Sequence, residues 1–308
     1  LNANFQFEVQ PSYIASNGNA YNAVLTTPQT AVSGTINGTQ TTNAASAQSG
    51  LVGKGQSFIG LTDAKLGTVQ FGTINTATFG AWATGSALGT GIGSGYGSGN
   101  TFGDFTRYES SVAYKSPSFN GVDFSVLRGT DNQAQFGVVG STATSVVLRR
   151  PEVTDIGIGY ANGPLTVAFG NQSSKGTTDT AKLATNFLAG SYDFGMAKLS
   201  AGYKTDKLTL TTGDKSDTIK STILGVSAPV GAVTLKASYV ARKADSEKVG
   251  NQFALGAVYD LSKRTSVYAT YAVLKNEAGY GNTVGSAAAS DFTGLKSKGF
   301  EAGVKHSF

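Results

Sequence analysis

The stretch GFEAGVKHSF, residues 299–308, alternates strictly: Phe300, Ala302, Val304, His306 and Phe308 share one parity, and Glu301, Gly303, Lys305 and Ser307 the other. A period of two is the mark of a β-strand with one mostly apolar face. The stretch places an aromatic residue at its last position, where chains usually fray into water. What the apolar face meets is therefore the question that decides the fold.

Working back along the chain, segments of the same period recur at about ten residues each, the length a tilted strand needs to cross hydrocarbon. They fall at 2–11, 56–64, 66–75, 107–116, 120–129, 152–161, 164–172, 181–193, 196–206, 217–228, 232–243, 250–260, 264–275 and 296–308, fourteen in all. The connections alternate in length. DAKLG, SPSFNG, ANGP, DFG, APVG and DLSKR are tight, whereas 12–55, 76–106, 130–151, 173–180, 207–216, 244–249 and 276–295 are longer. Turns at one end and loops at the other are the plan of an up-and-down antiparallel barrel.

Composition agrees. The 308 residues include 41 Gly, 13 Tyr and 17 Phe against one Met, one Trp, one His and no Cys, with 14% charged and a mean hydropathy of −0.08. Such a chain is too aromatic for disorder, too poor in helix formers for a bundle, and has no apolar run of the roughly 18 residues a membrane helix needs. Residue 1 is Leu and no signal peptide precedes it, so the sequence reads as mature or truncated.

Alternation alone fits a soluble sugar-binding sandwich as well as a membrane barrel, because the two differ in which parity faces out. In residues 233–243, Val233, Leu235, Ala237 and Tyr239 oppose Thr234, Lys236, Ser238 and Arg242. Two features favour lipid on the apolar side. Tyr160, Tyr192, Phe194, Tyr203, Tyr239, Tyr259 and Tyr271 lie on apolar faces, many near strand ends, as interfacial girdles require, and the opposite faces are small and polar, suiting a wet lumen.

YDLSKRTSVYATYAVLKN (259–276), the ending GVKHSF, FIGLTDAKLGTVQFG (58–72), RYESSVAYKSPSFNGVDFSV (107–126) and GSYDFGMAKLSAGY (190–203) resemble the trimeric general porins of Gram-negative outer membranes, across nearly the whole chain. The resemblance implies one barrel domain over 1–308, a homotrimer in contact with outer-membrane lipid and lipopolysaccharide, and a passive channel for ions and small hydrophilic solutes. It also implies that Phe308, with Val304 and His306 at alternate positions before it, is an address read by the insertion machinery. Relatives have sixteen strands and LNANFQFEVQ matches their third. Either two N-terminal strands are missing here, the reading adopted, or the barrel closes with fourteen. Thr73 stands where relatives commonly carry Arg, so a customary pore charge is replaced.

Residues 76–106, TATFGAWATGSALGTGIGSGYGSGNTFGDFT, have Gly at 89, 91, 93, 95, 97 and 99 and Asp104 as their sole charge. They match no phosphate-binding pattern and show no helix signal after the glycines. The resemblance makes this the loop that folds into the barrel and narrows the pore, a course the tight backbone of glycine permits; a glycine-rich surface loop is the alternative. By the same resemblance Arg107 and Lys115 align near the eyelet, with Glu109 between them.

No catalytic device is legible. The single His306 lies on an apolar face, Cys is absent, and the loop carboxylates Asp214, Asp217, Asp245 and Glu247 fit no EF-hand spacing. The net charge of +5 and pI of about 9.2 come without any Lys/Arg run longer than two, so no nucleic-acid partner, cofactor or metal is expected. If the apolar parity faces lipid, the lumen receives Arg107, Lys115, Lys198, Lys204, Lys236, Arg242 and Lys305 against Glu8, Glu109, Asp123, Asp155 and Glu301. This excess of cations, with Asp104 alone on the constriction loop, leads to an expectation of moderate anion preference. A channel selective for small organic anions and a barrel adhesin are the alternatives.

Overall fold

The structure, a computed structural model, describes residues 2–9, 52–89, 91–95, 107–129, 152–175, 181–210, 216–284 and 294–307. Fourteen strands follow in chain order: β1 (Asn2–Val9), β2 (Val52–Asp63), β3 (Gly67–Asn75), β4 (Arg107–Lys115), β5 (Val122–Gly129), β6 (Glu152–Asn162), β7 (Leu165–Lys175), β8 (Ala181–Asp193), β9 (Lys198–Leu210), β10 (Ser216–Val230), β11 (Val233–Ala244), β12 (Glu247–Asp260), β13 (Thr265–Asn276) and β14 (Lys296–His306). Each pairs antiparallel with the next, giving one sheet in the order β1 to β14, so the up-and-down plan read from the alternation holds. Among the described residues no ladder joins β1 to β14.

The tight turns use local side-chain caps. Asp63 Oδ1 accepts from the amides of Lys65 and Leu66 at 2.9 and 3.1 Å, and Asp193 Oδ1 from Gly195 N at 2.8 Å; Asp forms such turns readily. The long connection expected at 244–249 does not exist. β11 and β12 run on to Ala244 and Glu247 and are joined by two residues. Asp245 takes a left-handed φ of 52° there, and its carboxylate accepts from Thr218 N at 3.1 Å. Asp enters that region more readily than most non-glycine residues, and here the neighbouring strand β10 holds its carboxylate.

The apolar parity faces out. Leu188, Tyr192, Leu199, Tyr203, Leu235, Tyr239, Phe253, Leu255, Tyr259, Tyr271, Phe300 and Val304 are all exposed, with Phe253 at 49% and Val304 at 68%. On the opposite face of these and the neighbouring strands, Thr185, Gln172, Ser191, Lys204, Asp206, Ser221 and Arg242 are buried. This is the reverse of a water-soluble barrel or sandwich, where the exposed parity would be the polar one.

A helix, α1 (Ala77–Gly85), and a 3-10 turn (Ile92–Ser94) lie on the inner face. The sequence carries no evident helix signal here, so α1 is a correction. It touches every strand from β5 to β10, and the 3-10 turn touches β11 to β14. A nine-residue helix is about 13 Å long, whereas six strands spaced 4.8 Å span about 24 Å. The sheet must therefore curl around this segment.

Replacing outward Leu188, near the middle of β8, by Arg is expected to cost about 2–4 kcal/mol in refolding from urea into lipid. Arg at inward Thr166 of β7 is expected to cost under about 1 kcal/mol in the same titration.

Candidate functional site

The inner segment is held at both ends by polar groups of the wall. At the start, Thr76 caps α1, its hydroxyl accepting from Phe79 N at 3.0 Å. Asp155 of β6, fully buried, accepts from Ala77 N at 2.6 Å, from Thr78 N at 3.3 Å and from the Thr78 hydroxyl. A carboxylate at a helix N-terminus satisfies amides that have no partner within the helix and complements the positive end of the dipole. At the far end, Gln252 Nε2 donates to Ile92 O at 2.7 Å, Ile92 N donates to Glu301 Oε2 at 3.3 Å, the Ser238 hydroxyl donates to Gly93 O, and Arg242 Nη2 donates to Gly95 O.

Between these anchors the segment packs on apolar wall residues. Ala81 and Trp82 form a cluster with Phe187, Ala189, Ile223 and Val240, and the Trp82 and Phe187 rings stack at 5.5 Å. Leu88 and Ile92 pack on Ala254, Ala272, Leu274 and Val284. Close approach of α1 to the sheet depends on two wall glycines. A methyl group on Gly157 would stand 2.2 Å from Ala77 Cβ, and one on Gly170 would stand 2.4 Å from Thr78 Cα.

Lys204 and Asp206, neighbours on the inner face of β9, pair at 2.7 Å beneath this segment, and Thr185 donates to Asp206 at 2.8 Å. Lys204 Nζ lies 6.0 Å from the Trp82 ring centroid. Such a buried pair adds little net stability, but losing one partner would leave a costly lone charge.

The expected basic ladder thus divides in two. Lys204 and Arg242 are on the inner face as read, yet both are buried in contacts that hold the segment and neither lines open lumen. Lys198, Lys236 and Lys305 are also on the inner face; Lys198 and Lys305 are exposed and Lys236 is half-buried, within electrostatic reach of the other two. Lys115 faces Asp123 at 3.7 Å as a hydrated pair. On the β3–β7 side of α1 these two line a cavity of about 340 Å³ with Gln70, Ser125, Thr84 and Thr166.

Arg107 departs from the parity reading, and Thr73 from the pore-facing place the resemblance gives it. Between Gly72 and Ile74 the β3–β4 register slips, and Ser110 takes a φ of 48°. This bulge opposes two β4 residues to one of β3 and reverses the parity beyond it. Tyr108 becomes the buried inward residue, donating to Gln172 Oε1 at 3.2 Å, while Arg107 pairs with Asn75 on the opposite face. Thr73 pairs with Ser57, on the face that carries Ile59 and Phe71. Glu109 lies at the bulge. Asp104, Phe308, most of the loop at 12–55 and the side chains of Glu8 and Glu109 lie outside the described residues. Val304 and His306 point outward as expected, with His306 Nδ1 bonded to Thr265 Oγ1 at 2.8 Å. Parity reasoning took Asp155 and Glu301 for lumen charges and did not foresee their roles, or those of Ser238 and Gln252, as anchors.

A single antiparallel meander with its apolar face outward, curled around a segment bonded to its inner wall, is a transmembrane β-barrel with an internal loop. A family model described as Gram-negative porin matches residues 1–279. The chain belongs to this outer-membrane family. It is 32% identical over 214 residues to outer membrane porin protein 32 of Delftia acidovorans, covering 66% of this chain and 57% of that protein. An outer membrane porin protein of Bordetella pertussis is 32% identical over 213 residues, covering 56% and 53%. The chain thus spans little more than half the length of these relatives. The solved structure of an anion-selective porin from Comamonas acidovorans superposes with a TM-score of 0.60 at 24% identity, over 82% of this chain and 77% of that one.

Asp155→Ala removes three hydrogen bonds from the start of α1. It is expected to lower stability by about 3 kcal/mol and to leave the inner segment open to proteolysis in detergent, read as cleavage within residues 76–95. Asp155→Asn, which retains one acceptor oxygen, should show a smaller effect in both measurements.

Proposed function

We propose that this chain forms a passive diffusion channel for small hydrophilic solutes and ions, with residues 76–106 as its constriction and with moderate preference for anions. The observation that carries the reading is the inner segment bonded to the wall from β6 to β14: it occupies the lumen while leaving beside it a cavity that the Lys115–Asp123 pair lines. Selectivity follows from which charges remain solvated. Asp155 and Glu301 anchor the inner segment, Asp206 is paired with Lys204, Asp123 is paired with Lys115, and the inner wall presents Lys198, Lys236 and Lys305 near its turn end. Asp193 and Asp260, at that rim, temper the excess. Charges on the low-dielectric wall of a narrow pore act on passing ions more strongly than the chain's total charge does.

Assembly as a homotrimer, contact with lipopolysaccharide and recognition of Phe308 by the insertion machinery belong to the same reading, and rest on the family. A channel specialised for small organic anions is the second reading, favoured by the clustering of the three lysines.

The test is a reversal potential across a planar bilayer in a potassium chloride gradient. The wild type should be anion-selective, with the preference weakening as salt rises past about 0.1 M, where the screening length falls to about 10 Å. Lys198→Gln with Lys236→Gln and Lys305→Gln should cut the anion-to-cation permeability ratio by roughly half or more. A cation-selective wild type would overturn the anion preference, and an unchanged ratio in the triple variant would show that these lysines do not set it.

A further inference from the structure

Two Lys–Asp pairs lie on the inner face of the described strands, and they differ in kind. Lys204 and Asp206 close to 2.7 Å, fully buried beneath the inner segment. That is the length of a charge-assisted hydrogen bond, in which each charge is taken up by the other. Lys115 of β4 and Asp123 of β5 stand 3.7 Å apart, with side chains 61% and 30% exposed. At that separation no hydrogen bond joins them. Ammonium and carboxylate therefore sit side by side, and each keeps capacity for a further partner.

The surroundings hold this arrangement. Asp123 lies directly opposite Gly159 of β6, and a methyl group on Gly159 would stand 3.0 Å from the Asp123 carboxylate. The bare backbone of Gly159 is the recess in which that carboxylate rests. The pair borders the cavity of about 340 Å³ on the β3–β7 side of α1, room for about eleven waters at about 30 Å³ each. Gln70, Ser125, Thr84 and Thr166 add neutral hydrogen-bonding groups to its lining. The other charged group among the described lining residues is Asp155, whose carboxylate is engaged with the amides of α1.

The cavity thus offers one cation and one anion, neither saturated. A lone anion drawn to Lys115 is repelled by Asp123 beside it, and a lone cation meets the reverse. A solute that carries both charges close together meets the opposite sign twice. We infer that Lys115 and Asp123 form a binding site for small zwitterionic α-amino acids, with the solute's carboxylate against Lys115 and its ammonium against Asp123, so that four charges alternate in a ring. The two charged groups of an α-amino acid hang on one carbon, which suits a gap of this kind, and its side chain has the rest of the cavity. Contacts between water-exposed charges are weak, as passage through a channel requires. A zwitterion has no net charge, so the lysines at the turn end do not select it; this pair does. The assignment rests on the chain forming an open channel and not on its anion preference.

Single channels in a planar bilayer test it at neutral pH and fixed potassium chloride, with L-alanine or the uncharged, similarly sized lactamide added to both chambers. L-alanine should lower the wild-type current saturably, whereas lactamide should lower it only in proportion to its concentration. Lys115→Gln with Asp123→Asn, which removes both charges, should raise the half-saturating L-alanine concentration roughly 10-fold. Lys115→Asp with Asp123→Lys, which exchanges them, should keep it within about 3-fold of wild type, because the solute can turn end for end. An equal wild-type response to the two solutes, unchanged L-alanine binding in the doubly neutral variant, or an exchange variant no better than the neutral one would each overturn the assignment. A wild type that carries no potassium chloride current would instead overturn the channel reading, and so is told apart from a failure of this site.

Discussion

A backbone amide or carbonyl left unpaired in hydrocarbon costs several kcal/mol, and a β-strand can pair its own backbone only with a neighbour. From this follow the near-unbroken ladders from β1 to β14, with short turns at one end and, the two-residue β11–β12 turn apart, longer connections at the other. Once the backbone is satisfied between strands, side chains are free to divide by parity. The outward set, rich in Leu, Tyr, Phe and Val, matches lipid, and the inward set can be as polar as water permits.

The inward set does two kinds of work. Part of it replaces water as the hydrogen-bonding partner of a chain segment that would otherwise have no reason to stay in the lumen. α1 includes Gly80 and two Thr, and it is too short to be stable alone. Asp155 at its first turn and the Trp82–Phe187 packing make it a helix in this place. The 3-10 turn is held by donors from β11 and β12 and an acceptor from β14. The rest of the set, Lys198, Lys236, Lys305 and the Lys115–Asp123 pair, stays outside these anchoring contacts and, on the function proposed, is what passing ions would meet. Anchoring and the proposed conduction therefore draw on the same residue types, and burial beneath the inner segment separates them.

That division also explains what could be read in advance. Strand number, order and the lipid-facing residues were legible because period-two alternation is enforced at almost every membrane-facing position. The register break at β4 was not. The residue that takes the left-handed conformation is Ser110, which carries no glycine signal, and one extra residue moves Arg107 to the other face. The helix was hidden for a different reason. Its buried positions, Thr78, Ala81, Trp82 and Gly85, have helical spacing, but two of the four are not apolar. The use of Asp155, Lys204 and Arg242 as anchors and buried partners is tertiary information: in the sequence they have the same parity and chemistry as lysines that line open lumen.

The division of faces can be measured most directly by thiol accessibility, since the chain has no native Cys. Single Cys residues would be placed in turn at the inward positions Thr166, Lys198, Ser227 and Lys236 and at the outward positions Val167, Leu199, Val226 and Leu235, and each protein reconstituted in lipid vesicles. A water-soluble thiol reagent should label the first four and leave the second four unreacted, while nitroxide-bearing acyl chains should quench a fluorophore on the second four alone. Labelling of both sets alike, or quenching of the inward set, would contradict a barrel with lipid outside and a watered lumen within.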